Sequence, residues 1–263
     1  MSALSGDNVE LAVQRYGDAG TPIVILHGLL GSGRNWASIA KRLASDHKVE
    51  TLDLRNHGSS PWADAMTYAL MASDVRAHIE RTALGPVTLI GHSMGGKTAM
   101  RLALDAPSLV ERLVVVDIAP VVYDHSTGAY VEAMRGLDLD GLTSRNDVDE
   151  RLAEAVHEPG IRAFLLQNLM RGDHGFTWRP HLDALSKAMP DLMSFPVGEH
   201  DRYKGPALFI AGANSDYVRP EYRSAIDNLF TDADIRAIAD AGHWVHAEQP
   251  AAVIAHIKDF LHR

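Results

Sequence analysis

The sequence predicts an α/β domain built on a mostly parallel central sheet flanked by helices, and three observations carry that prediction. Short runs with an apolar centre, such as 22–26 and 110–118 around Leu113-Val114-Val115-Val116, read as strands buried on both faces. Segments of helical periodicity, including 35–43, 68–83 and 249–261, alternate with those runs. At one junction, Gly91-His92-Ser93-Met94-Gly95, a serine stands between two glycines where an apolar run meets a helix-compatible one. There the chain must turn sharply from strand into helix.

The elements follow in order. Residues 9–16 alternate loosely and open the sheet, and Pro-Ile-Val-Ile-Leu at 22–26 follows as a buried strand ended by the turn signal His27-Gly28. After Gly31-Ser32-Gly33 comes a short helix over 35–43, then a strand over 47–54 closed by the loop 53–61. The helix over 68–83 is stopped by Gly85-Pro86. A strand from Val87 reaches the Ser93 turn, a helix runs over 97–106, and the strand 110–118 carries Asp117 near its end. From 119 to 204 the strand pattern stops, and the stretch reads as several helices with Gly-, Pro- and His-rich joints. It is too long for a bare loop and is expected to form a structured cap over the site. The strand 206–212, a helix over 219–229, a last strand over 235–238 and the closing helix complete the chain. Residues 1–118 and 205–263 are therefore expected to form the core, with 119–204 as the inserted cap.

Composition narrows the function. With 263 residues there is room for one large domain or a core with an insertion. A net charge of −9 without a basic run disfavours a nucleic-acid partner or an anionic membrane surface. The absence of cysteine excludes disulfides, thiolate metal sites and a cysteine nucleophile. Apolar runs such as 113–116 are far too short to span a bilayer. Residues 1–8 lack the basic start and apolar stretch of a signal peptide, so the expectation is a cytoplasmic protein with no membrane partner. Nothing in the sequence specifies an oligomeric state.

A serine becomes nucleophilic near neutral pH when a base takes its proton and a third group orients the base. Among fourteen histidines, position selects His243, which directly follows the last expected strand in Asp240-Ala241-Gly242-His243-Trp244. Two carboxylates compete for the third role. Asp216 follows the strand 206–212, and Asp117 closes the strand before the cap. Residue spacing does not separate them. Two preorganised N–H donors are needed to hold an oxyanion. The amide of Met94 and that of Leu29, in the turn after the second strand, are the candidates, and His27 is read as a brace for that turn.

In the cap, Phe164, Leu165, Leu169, Met170, Phe176 and Trp178 are candidates for an acyl pocket, and equally for cap core at helical spacing. His174, His181 and His200 lack any paired ligand spacing, so no metal is expected. Gly31-Ser32-Gly33 lacks both nucleotide-loop patterns, so no nucleotide is assigned to it.

With these residues in place the sequence resembles a known group. Leu26-His27-Gly28-Leu29-Leu30-Gly31-Ser32, Arg55-Asn56-His57-Gly58, Gly91-His92-Ser93-Met94-Gly95-Gly96-Lys97, Asp117-Ile118-Ala119-Pro120 and Ala241-Gly242-His243-Trp244 together look like the YbfF-type bacterial esterases and their abhydrolase-domain relatives. The resemblance implies an α/β-hydrolase fold with a helical cap between the sixth and seventh strands. It implies no cofactor, and a small-molecule acyl ester or thioester as substrate. It also places the acid at Asp117 and does not require an acid at Asp216. Carbon–carbon bond hydrolases and cofactor-free perhydrolases use the same three groups and are rival readings. A binding scaffold without turnover is a rival of another kind.

Overall fold

Alternation within the apolar runs decides how the sheet is covered. Ile23 and Ile25, Ile90, Val114 and Val116, and Leu208 and Ile210 project to one face, where they meet Trp36, Ile39, Leu43, Val253 and Ile257. The intervening Val24 and Leu26, Leu89, Leu113 and Val115, and Ala207 and Phe209 project to the other, against Met71, Val75 and Met100. Both faces are thus buried by helices, each large aliphatic side chain contributing about 1.5–3 kcal/mol from removal of apolar surface.

The structure, a computed structural model, describes residues 8–124, 128–173 and 175–263. Its strands are β1 (Val13–Tyr16), β2 (Pro22–Leu26), β3 (Lys48–Leu52), β4 (Val87–His92), β5 (Val110–Val116), β6 (Leu169–Gly172), β7 (Gly175–Trp178), β8 (Tyr203–Gly212) and β9 (Phe230–Ile238). Its helices are α1 (Ala37–Leu43), α2 (Tyr68–Arg81), α3 (Met94–Asp105), α4 (Gly128–Arg135), α5 (Arg145–Leu152), α6 (Pro159–Leu166), α7 (Leu182–Met193), α8 (Arg223–Leu229), α9 (Val245–Glu248) and α10 (Pro250–Leu261). Seven strands form the main sheet in the order β1-β3-β2-β4-β5-β8-β9. Only the β1–β3 pairing is antiparallel. From β2 the chain moves to β3 on one side and later crosses to β4 on the other. The crevice between the ends of β2 and β4 is therefore the switch point where α/β sheets place ligands.

Four expectations need correction. Five main-sheet strands precede the cap among the described residues, so the insertion follows the fifth strand rather than the sixth. The chain before Pro22 supplies one strand there, starting at Val13 rather than Val9, and residues 1–7 of the N-terminal stretch lie outside the described residues. The cap is not purely helical. Leu169, Met170, Phe176 and Trp178 sit on the antiparallel β6–β7 hairpin, with Leu169 opposite Trp178 and Met170 opposite Thr177. Gly175 at φ +122° turns this hairpin through a backbone region that L side chains rarely adopt, which favours strands over a continuing helix. Finally, β9 starts five residues before its apolar pattern does. Thr231 and Asp232 lie on an edge strand held by backbone pairing with β8, where side-chain hydrophobicity is not required.

Core and cap are joined at α3. Lys97 is buried, and its ammonium donates to the carbonyls of Val121 (2.9 Å), Met193 (3.2 Å) and Ser194 (2.9 Å), at the two ends of the cap. Burial pushes it down to about 7, while the three carbonyls and the faces of Tyr123 and Tyr68 favour its charged form.

Candidate active site

Ser93 occupies φ 51°, ψ −119°, a sparsely populated conformation for a residue with a side chain. The surrounding packing holds it there. A Cβ on Gly91 would overlap the Gly95 carbonyl, and one on Gly95 would lie 2.6 Å from the Leu26 carbonyl oxygen. The Ser93 amide donates to Val116 (3.0 Å), and its carbonyl accepts the Lys97 amide (3.0 Å) to start α3. The hydroxyl is thereby lifted from the sheet at the switch point.

His243 follows β9 in a loop tied to the end of β8. Ala213 donates to Ile238 and Asn214 to Ala241, both at 2.9 Å, and Gly242 donates to Glu248 at 2.7 Å. The ring lies between two partners: Nε2 is 3.0 Å from Ser93 Oγ, and Nδ1 is 2.8 Å from Asp117 Oδ2. With Nδ1–H donating to the carboxylate, Nε2 is left to accept the serine proton. The Tyr217 ring stacks on the imidazole at 3.9 Å, and His92 Nε2 donates to the His243 carbonyl at 2.8 Å.

Asp117 is wholly buried at φ 51°, directly after β5. Its Oδ1 accepts the Gly212 amide at 2.8 Å, and its Oδ2 accepts both the Ser215 hydroxyl and His243. A carboxylate held by three donors has its orientation fixed. Asp216 lies elsewhere. Its side chain is 77% exposed and faces Arg219 at 3.5 Å, because the turn after β8 points it outward while Ser215 points in. Of the two candidate acids, the structure brings Asp117 to the ring and leaves Asp216 in solvent.

Leu29 and Met94 flank Ser93 on the wall of one cavity. Among the described residues neither backbone amide donates to a protein acceptor, so both are available to a bound oxygen. The Leu29 turn is clamped by two histidines. His27 Nδ1 donates to Gly28 O (2.8 Å) and Nε2 accepts from Leu54 (2.9 Å), while His57 Nδ1 donates to Arg55 O (3.0 Å) and Nε2 accepts from Leu30 (3.1 Å). Each ring must stay neutral to accept an amide. Burial, then the neighbouring His27 ring, drives His57 down to about 3, and burial lowers His27 as well. His246, stacked on Trp36 at 4.6 Å, is also driven to about 3 by burial and by His243, and His92 is held well below the usual range. Gly28 lets the turn approach His92: a Cβ there would meet its Nδ1 at 2.8 Å.

Two cavities meet at Ser93 and Leu29. One of about 460 Å³ is lined by His243, Tyr130, Phe164 and Trp244, and the other, about 370 Å³, by Met94, Lys97, Met189 and Tyr217. Phe164 lines the first as expected. Leu169, Met170 and Trp178 line neither, because the hairpin turns them away from the serine; Leu169 and Trp178 pack on the cap's apolar core, as do Leu165 and Phe176. Sequence reasoning missed Ser215, Tyr217 and Lys97. Ser215 had a signal, a hydroxyl directly beside a candidate acid, whereas Lys97 resembled any helix-surface lysine.

Among the described residues no group of three His, Asp or Glu side chains could hold a metal ion. His181 stacks on Trp62, His200 is exposed, and His174 lies outside the described residues. Among those residues, too, no helix is long and apolar enough to cross a membrane.

Comparison with known proteins bears on this geometry. Residues 23–256 match the model described as "Alpha/beta hydrolase family". The chain is 42% identical over 254 residues to the sn-1-specific diacylglycerol lipase ABHD11 of Mus musculus, covering 93% of this chain and 82% of that one. It is 36% identical over 245 residues to esterase YbfF of Escherichia coli, covering 92% and 93%. Among solved structures, one described as a marine microorganism esterase superposes with a TM-score of 0.93 at 38% identity, covering 96% of this chain and all of that one.

Proposed function

The chain belongs to the alpha/beta hydrolase family and is a hydrolytic enzyme; from that premise we propose that it cleaves carboxylic esters or acyl thioesters through an acyl-enzyme on Ser93. The observation that carries this reading is the line of contacts from Ser93 Oγ through His243 to Asp117, 3.0 Å and 2.8 Å, on a serine held in strained backbone. In the proposed cycle His243 Nε2 takes the serine proton as Oγ attacks the acyl carbon. Asp117 orients the ring and stabilises the imidazolium. The Leu29 and Met94 amides receive the oxyanion. His243 then protonates the leaving alcohol or thiol, takes a proton from water, and returns it to Ser93 as the acid departs. Every proton is carried by the ring, and the scheme uses no cofactor.

Residues 119–204 act in this proposal as the lid that shelters the acyl group. The lipase and esterase names of the relatives support ester bonds as targets and put acylglycerols first among substrates to try. An alkyl fluorophosphonate tests the reading, because it labels only an activated serine. Labelling at Ser93, lost in Ser93→Ala, is the expected result; an unlabelled, folded wild type refutes it.

A further inference from the structure

The turn that carries Leu29 is gripped from the cap as well as from the core. Asn168 stands between α6 and β6 and is buried. Its Nδ2 donates to the Leu30 carbonyl at 2.8 Å, a contact across 138 residues of chain. The main chain of Asn168 is itself fixed within the cap. Its amide donates to Leu165 O at 3.0 Å, and its carbonyl accepts the Arg179 amide at 2.9 Å. Burying a primary amide is unfavourable unless it is hydrogen-bonded, so the side chain is committed to the carbonyl it meets.

Leu30 shows what that contact fixes. It adopts φ 59°, a region sparsely populated by residues with a side chain, and it persists only where neighbours hold it. Two groups do so. The Leu30 amide donates to His57 Nε2 at 3.1 Å on the core side, and its carbonyl is taken by Asn168 on the cap side. From there the constraint passes through two planar peptide groups. The Leu30 carbonyl shares its plane with the Gly31 amide, which donates to Gly28 O at 3.0 Å. The Gly28 carbonyl in turn shares its plane with the Leu29 amide. Rotating the Leu30 carbonyl away from Asn168 therefore swings the Gly31 N–H, releases Gly28 O and re-aims the Leu29 N–H. His27 Nδ1 still donates to Gly28 O at 2.8 Å, so the turn loosens rather than collapses.

We infer that Asn168 is a positioning residue for the oxyanion hole: through this one side chain the cap sets the direction of the Leu29 amide. The inference rests on the acyl-enzyme reading of Ser93. Asn168 lines neither cavity at Ser93, so it acts through Leu30 and not by touching the substrate. This role differs from that of a cover. A cap that only shelters the acyl group matters for long chains, whereas a cap that aims an oxyanion donor matters for the smallest ester as well.

The test is Asn168→Leu, which keeps the volume and removes the donor, assayed on phenyl acetate, whose acyl group needs no shelter. The expected result is a kcat lower by about 10- to 100-fold with KM within about twofold, a smaller loss than removing an oxyanion donor outright. Affinity for a trifluoromethyl ketone, which forms a tetrahedral oxyanion on the serine, should fall by the same factor as kcat/KM. Gln167→Ala is the control. It breaks the neighbouring cap contact, Asn35 Nδ2 to Gln167 Oε1 at 3.0 Å, and should leave both readings unchanged. Denaturation midpoints report folding, and Asn168→Ala, which leaves a hole but no misfit, stands in if the leucine variant does not fold. Unchanged kcat on phenyl acetate in a folded variant, with losses confined to long acyl chains, overturns the inference and leaves Ser93 chemistry intact. So does a rise in KM in place of the fall in kcat, or a fall in kcat that the trifluoromethyl ketone does not share. A wild type that neither hydrolyses the ester nor takes a fluorophosphonate refutes the Ser93 reading itself, and this inference with it.

Discussion

The loops at the edge of the sheet and the cap above them are held in different ways. At the edge, Leu30, Asn56, Ser93, Asp117 and Asp240 all adopt positive φ, and the backbone amides of Ser93 and Asp117 are held by the carbonyls of Val116 and Ile210 on neighbouring strands. Among the described residues no non-glycine residue of the cap does so. Phe164, Met189 and Met193 reach the site from helices of ordinary geometry. The difference separates two jobs. In the proposed mechanism the serine and the acid, Ser93 and Asp117, are among the positions over-determined by strain and hydrogen bonds, while the residues proposed to meet the rest of the substrate hang on a relaxed scaffold that can be rebuilt.

The sharpest way to break this contrast is at the serine. Ser93→Ala should reduce kcat on an aryl ester by about 10⁴ or more with the denaturation midpoint unchanged. A variant within tenfold of wild type would end the serine mechanism. Next in size is the acid. Asp117→Asn should cost about 10⁴ in kcat, since an amide can hold the wrong imidazole tautomer and cannot balance its charge. Asp216→Asn, on an exposed turn, should stay within about threefold. Reversed or equal losses would show that the observed contact is not the working one.

A third effect concerns stability. His57 and His246 are held neutral, with folded values of about 3 against an unfolded value of 6.5. Below about pH 6.5 the unfolded chain takes up protons that the folded one refuses. The stability of the edge loops is therefore full above that pH and falls as pH drops, by up to about 1.4 kcal/mol per unit for each ring. Urea unfolding at pH 7 and pH 5 should show the decline, and equal stability at both would contradict neutral clamps. The smallest effects come from a pair of glycines. Gly91→Ala, pressed on the Gly95 carbonyl, should destabilise by about 1–3 kcal/mol or more. Gly160→Ala, in α6 with nothing within 4 Å of its Cβ, should stabilise by about 0.5–1 kcal/mol. Melting curves that move together would deny any difference between the regions.

What was legible in the sequence tracks the same division. Ser93 and His243 could be read because a strand-to-helix turn needs glycine on either side of the serine, and because a strand ends just before the histidine. The choice between Asp117 and Asp216 could not, because both follow neighbouring strands. The proposal for Asp117 rests on its contact with His243, made where a positive φ turns its carboxylate toward the Gly212 amide and the Ser215 hydroxyl. Helical spacing was a poor guide in the cap, where Leu169, Phe176 and Trp178 satisfy a pattern that a short hairpin satisfies equally.

Lys97 bears on how such a protein can change over time. Its three acceptors, the carbonyls of Val121, Met193 and Ser194, belong to the main chain, so the ammonium reads the path of the cap and not its side chains. Substitutions at those three positions are therefore expected to leave the junction intact so long as both ends of the cap return to the same place. One lysine on α3 thus leaves the cap lining free to vary: under the proposed mechanism, new linings for the two cavities at Ser93 can be tried on an unchanged base, much as interchangeable heads fit one handle.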